Sequence, residues 1–320
     1  MKRLLVFVPL LLTALSFSQD IKVREEAVRL LEKADAASAA VNLPNLERVD
    51  SFRAYSESGI KDGTFTRVVI QGTGRREETT FGDYHVVDIY TRDGVTTTRT
   101  QEVAPPEIKD LKWMTPINPL RFDDQDVIHK ITNREVSGRP ARCIEFDTIH
   151  GEKTDANEIC VDVANSAIVL EKLGNELLEY SEFFNFSGEM LPGKIRYSVS
   201  GTLKMEVSQT ITRLDDATPN VLAAPPNSKY GAYCKTYRRP YGKSMPQPKP
   251  GNGGTQVDII VRGLIGEDGR IHDAVVQSSE RPDLNAEALD LIRQWVFSPG
   301  VCDGELNSIE SAFTLHFQGR

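Results

Sequence analysis

Four cysteines, five histidines and a scatter of carboxylates are the side chains of this 320-residue sequence that could do covalent or metal chemistry. Their spacing argues against it. His85, His129, His150, His272 and His316 lie in unrelated runs, and no His-Glu-x-x-His pair sets two of them on one helix face to hold zinc. Cys143, Cys160, Cys234 and Cys302 form no Cys-x-x-Cys pair and have no histidine set beside them, so neither a metal nor a cofactor is expected. A Gly-x-Ser-x-Gly elbow is missing. The glycine-rich stretches at 72–74 and 251–254 lack the Lys-Ser/Thr or helix start that cradles a phosphate. Asp123 with Asp124, and Asp215 with Asp216, read as solvated loop carboxylates. The sequence therefore points to a non-enzymatic protein.

The cysteines find a better use if the chain is exported. Lys2 and Arg3 precede an apolar run from Leu4 to Leu15, and Ser16 and Ser18 then place small residues where a signal peptidase reads. The run is shorter than the ~20 residues of a membrane span, and no cysteine follows it to carry a lipid anchor. Residues 1–18 are expected to be a cleaved signal peptide, leaving a periplasmic or secreted chain from Gln19; a retained short anchor is the alternative. In an oxidising compartment four cysteines read as two disulfides, with three connectivities open. Cys143 and Cys160 lie in two strand-like runs joined by a polar segment, so a hairpin would set them opposite each other. That pairs Cys143 with Cys160 and leaves Cys234 with Cys302.

The stretch from Thr255 to Phe317 reads as two strands, a helix and a closing strand. Val257, Ile259, Val261 and Ile265 alternate as a half-buried strand does, Asp268-Gly269 supplies a turn, and IHDAVVQ returns as its partner. Pro282 and Asp283 open a helix on which Leu284, Ala288, Ile292 and Trp295 share one side, with Phe297, Ser298 and Pro299 stopping it. In the closing strand Ile309, Ser311, Phe313, Leu315 and Phe317 share one face, and Glu310, Thr314 and His316 the other. Trp295 and Trp113 read as core anchors.

These residues, in DGRIHDAVVQSS, LNAEALDLIRQWVFSPG and the closing strand, resemble the TonB C-terminal domain. The resemblance implies a small α+β fold whose last strand accepts an extended receptor peptide by β-augmentation. Carried onto this chain, the accepting edge is Ser308, Ile309, Glu310, Ser311, Ala312, Phe313, Thr314 and Leu315. The Tyr-Pro lead-in of that family is replaced here by PQPKPGNGG.

From Gln19 to Asn227 the pattern is a helix over Val23–Ala40, with Ala27, Leu30, Leu31, Ala34 and Ala37 on one side. Many short β-rich runs follow, with turn signals such as Asp93-Gly94 and Ser137-Gly138. A helical interruption is expected around Pro105–Leu120. The leading helix, the TRDG turn, Gly138, Ala141 and Cys143, and the strand ending in Val161, Asp162 and Val163 resemble the LolA-like fold of lipoprotein carriers and outer-membrane lipoprotein-sorting proteins. That resemblance implies an antiparallel half-barrel with helices, whose concavity could hold acyl chains. Alternation does not fix which face points inward.

The net charge of -8 argues against a nucleic-acid partner. Residues 228–254 hold Lys229, Lys235, Arg238, Arg239, Lys243 and Lys249 with no carboxylate, and Tyr230, Tyr233, Tyr237 and Tyr241 interleave them. They read as a linker that packs its tyrosines on a neighbouring domain, with a membrane-surface or polyanion patch as the alternative. The expected class is α+β, with a signal at 1–18, a LolA-like domain at 19–227, the linker at 228–254 and a TonB-like domain at 255–320. The expected role is binding a peptide segment of an envelope protein, such as an outer-membrane receptor. A lipid or lipoprotein carrier and a self-associating structural protein are the alternatives.

Overall fold

The computed structural model describes residues 9–38, 43–56, 59–109, 111, 121–123, 125–150, 153–214, 219–248, 256–279 and 281–318. It is built mostly of antiparallel strands with few helices. Trp113, Asp124, Asp215, Asp216 and the glycines at 251–254 lie outside the described residues. In chain order the elements are α1 (Pro9–Ser38), β1 (Leu46–Ser56), β2 (Gly59–Ile70), β3 (Gly74–Phe81), β4 (Tyr84–Thr91) and β5 (Gly94–Arg99). Next come β6 (Asp126–Val136), β7 (Arg139–His150), β8 (Lys153–Asp162), β9 (Ile168–Leu173), β10 (Glu176–Ser181), β11 (Phe184–Phe186) and β12 (Glu189–Leu191). β13 (Lys194–Val199), β14 (Thr202–Arg213), β15 (Lys229–Ala232), β16 (Tyr237–Arg238), β17 (Tyr241–Ser244) and β18 (Gln256–Ile265) follow. The chain closes with β19 (Ile271–Ser279), α2 (Asn285–Ile292), β20 (Val296–Ser298), β21 (Gly300–Cys302), β22 (Glu305–Asn307) and β23 (Ile309–Gln318).

By contacts the chain groups into two compact units, Met1–Ile60 with Lys112–Leu214, and Lys61–Leu111 with Asp215–Arg320. In the first, the strand order is β1-β14-β13-β10-β9-β8-β7-β6. Its registers line up rows of side chains, because directly opposed residues share a face. Phe52 faces Val207, Val207 faces Ile195 and Ile195 faces Tyr180, and all four are buried. A second buried row runs Ala54, Met205, Tyr197, Leu178, Glu171, Ile159 and Ile144. These rows mark one buried face, and over β7 to β9 the opposite face is buried too, at Cys143, Cys160 and Leu170. α1 buries Ala27, Leu30, Leu31 and Ala34 and touches β6, β8 and β12, so its apolar side is the one the sequence marks. The helix runs unbroken past Ser18. Ser137 and Gly138 both have positive φ, 50° and 79°, the geometry that a two-residue turn between β6 and β7 requires.

In the second unit, β2, β3, β4 and β5 form an antiparallel meander, and β15 adds to the outer side of β5. Between β3 and β4, Gly82 turns the chain at φ 55°. A 3-10 turn at Pro106–Ile108 marks the start of the expected helical interruption.

The end of the same unit holds a three-stranded sheet in the order β19-β18-β23. Ile259, Val261, Ile265, Ile271, Leu315 and Phe317 bury its inner face against Ala288 and Ile292 of α2, together with Trp295 and Phe297. The sidedness agrees with the helical spacing, but the helix ends earlier. α2 stops at Ile292, and Val296–Ser298 is the strand β20, so Trp295 joins the core from beyond the helix. Gly269, at φ 72°, is required where it stands: a Cβ there would strike the carbonyl of Phe297, whose N–H bonds Gly269 O at 2.8 Å.

Candidate peptide-binding edge

Among the described residues, β23 is held on one side only. All ten of its residues pair with β18 without a register shift, from Ile309 opposite Ile265 to Gln318 opposite Gln256. No described strand pairs with its other side. In an antiparallel strand every second residue turns both its N–H and its C=O to the same edge, so β23 presents a row of backbone donors and acceptors outward. β19, at the opposite edge, pairs with β18 through two register shifts, so its ladder is broken.

The expected edge residues divide by face. Ser308 precedes the strand and is exposed; Ile309, Ser311 and Phe313 are half-buried, and Leu315 is fully buried opposite Ile259. Ala312 and Thr314 are exposed, while Glu310 is half-buried and ion-pairs with Arg262 at 3.0 Å. Further along, His316 Nδ1 lies 2.7 Å from Asp258 Oδ1, and Gln256 Nε2 lies 3.1 Å from the same nitrogen. Phe313 meets Trp295 edge-to-face at 5.6 Å between ring centroids, and Phe297 also at 5.6 Å. An arriving strand would thus meet the half-buried Phe313, with Trp295 and Phe297 buried behind it, on the core side and small or polar residues on the other. Glu310 carries the only charge between Ser308 and Leu315, and there is no proline there to deter pairing.

The segment expected as a linker is instead strand-paired along this unit. β16 pairs with β21 and β17 with β20, and Cys234 is bonded to Cys302. Asp303 accepts the N–H groups of Lys235 and Thr236 at 3.1 and 2.7 Å, and these bonds hold its carboxyl below the usual range. The tyrosines do not pack inward: Tyr230, Tyr233, Tyr237 and Tyr241 are 61%, 50%, 41% and 58% exposed. Backbone pairing places this segment, so its side chains are left over for solvent.

In the first unit Cys143 and Cys160 are directly opposed across β7 and β8 and form the other disulfide. The residue there that sequence reasoning missed is Glu171. It sits in the middle of an apolar row, accepts a hydrogen bond from Tyr180 Oη at 3.1 Å, and burial pushes its carboxyl up to about 7. Burial likewise raises the Tyr180 phenol.

Known proteins resemble the two parts of the chain separately. Residues 252–318 match the family described as the Gram-negative bacterial TonB protein C-terminal. Among solved structures, the N-terminal portion is similar to a domain named as an outer membrane lipoprotein-sorting protein from Vibrio parahaemolyticus, at 8% identity and TM-score 0.41 over 62% of this chain and 97% of that one. A LolA superfamily protein from Nitrosomonas europaea is similar at 13% identity and TM-score 0.36, covering 61% of this chain and 96% of its own. A DUF1329 family protein from Desulfovibrio piger is similar at 9% identity and TM-score 0.41, covering 63% and 97%. No curated protein matches the chain. Among the described residues no helix is long and apolar enough to cross a membrane.

Proposed function

We propose that this chain is a cell-envelope binding protein of α+β class, in which β23 takes an extended peptide of an outer-membrane receptor as a fourth strand. The domain plan is a signal at 1–18, a LolA-like half-barrel at 19–227, a basic segment at 228–254 and a TonB-like domain at 255–320, acting in the periplasm without catalysis. The observation that carries this reading is the ten-residue, register-perfect β23, one edge of which no described strand pairs with. Main-chain bonds along that edge supply affinity, and the half-buried Phe313, backed by the buried Trp295 and Phe297, favours an apolar peptide residue on the core side.

Titrating the full chain with a synthetic peptide carrying a receptor's TonB-box segment tests the reading. Saturable binding is expected, with amide shifts concentrated in Ser308–Leu315. Shifts centred on β19, or no binding, would remove peptide capture at β23.

A further inference from the structure

We propose that residues 233–245 form a docking strip for an anionic phospholipid surface. The strip is ordered by its backbone rather than by its side chains. Cys234 is bonded to Cys302, Asp303 brackets the N–H groups of Lys235 and Thr236, β16 and β17 each pair with a neighbouring strand, and the carbonyl of Pro246 accepts the Trp295 indole. Between these ties the side chains stand outward. Tyr233, Tyr237, Tyr241 and Met245 are 50%, 41%, 58% and 43% exposed. Arg238, Arg239 and Lys243 are exposed as well, and no described carboxylate pairs with them.

In a protein with a net charge of -8, the run from Ser228 to Gly254, with six basic residues and no acidic one, is a locally positive segment on a negative chain. Juxtaposed Lys and Arg draw such a segment to anionic headgroups, and tyrosine rings settle at headgroup depth with the phenol in water. The side chains project from short strands. The depression among them, lined by Thr236, Tyr237, Arg238, Val301 and Gly304, is open to solvent and not enclosed, which suits a headgroup layer better than the anchor residue of a folded partner.

Flotation of the full chain with phosphatidylcholine vesicles, with and without phosphatidylglycerol, provides the test. Binding is expected only to the phosphatidylglycerol vesicles and should fall as salt is added. Combining Arg238→Glu, Arg239→Glu and Lys243→Glu is expected to weaken it on the order of a hundredfold. Tyr237→Ser with Tyr241→Ser is expected to weaken it about tenfold without removing the charge selectivity. All five side chains are exposed, so both variants should melt like the parent. Equal flotation with neutral vesicles, no flotation, or an unaffected charge-reversed variant would overturn the proposal. So would binding of an acidic polyglutamate peptide in the absence of vesicle binding, which would place a protein partner on the strip.

Discussion

The indole N–H of Trp295 donates to the carbonyl oxygen of Pro246 across 2.9 Å, joining the basic segment to the core under the three-stranded sheet. The same ring packs edge-to-face on Phe313 of β23, so one residue links the exposed strip to the proposed peptide edge. Trp295→Phe keeps an aromatic ring and loses the donor, and is expected to cost about 1–2 kcal/mol. Trp295→Ala also opens a cavity and is expected to cost about 3–5 kcal/mol. Urea unfolding of the three proteins checks the order. Equal midpoints for the parent and Trp295→Phe would show that the bond contributes nothing.

Ser311 and Ala312 are neighbours on β23, so their amides point to opposite edges. Proline at one position removes a ladder bond to β18, and proline at the other removes only an outward donor. One of Ser311→Pro and Ala312→Pro is therefore expected to lose about 3 kcal/mol of stability. The other should fold nearly as the parent while losing peptide binding. Calorimetric titration beside thermal melts separates them, and two well-folded variants that both bind peptide would exclude β23 as the accepting edge.

The Cys234–Cys302 bridge closes a separation of 68 residues. On chain entropy, a loop of this length stabilises by about 4 kcal/mol. Cys234→Ser and Cys302→Ser are expected to be equally destabilising, and the double variant no worse than either. A double variant clearly worse than both would mean that the thiols contribute through packing as well.

Much of the terminal sheet was legible because its signals are local. Alternation marked β18 and β23, Asp268-Gly269 marked the turn, and the spacing of Ala288 and Ile292 marked the buried side of α2. The strands β16, β17 and β20 to β22 escaped because each is two to four residues long and is specified by pairing and a disulfide, not by its own pattern. The grouping of β2–β5 with the C-terminal segment was equally hidden, since only tertiary contacts make that unit. Tyr230 to Tyr241 misled in the other direction. Aromatic residues usually bury, but here a paired backbone fixes the segment without them. The alternation of β23 was legible as a pattern, whereas its place at the end of the order β19-β18-β23 among the described strands is a property of the sheet.

Glu171 was illegible for a related reason: in AIVLEKLG a glutamate reads as outward, yet its register with Ile159 and Leu178 puts it on the buried face. That placement has a pH consequence. Its carboxyl ionises near 7 in the folded chain against an ordinary value of 4.5, because burial disfavours the anion. The folded state therefore holds the proton more tightly than the unfolded one. The stabilisation this gives is fully present below about pH 4.5 and is lost as pH rises through 7, on the order of 3 kcal/mol in all. Glu171→Gln can keep a hydrogen bond to Tyr180 and cannot ionise. It is expected to melt above the parent at pH 8, with the difference shrinking as pH falls to 5. Melting curves of both proteins across that window decide it, and a difference that stays constant or grows toward pH 5 would show that Glu171 is not the buried acid described.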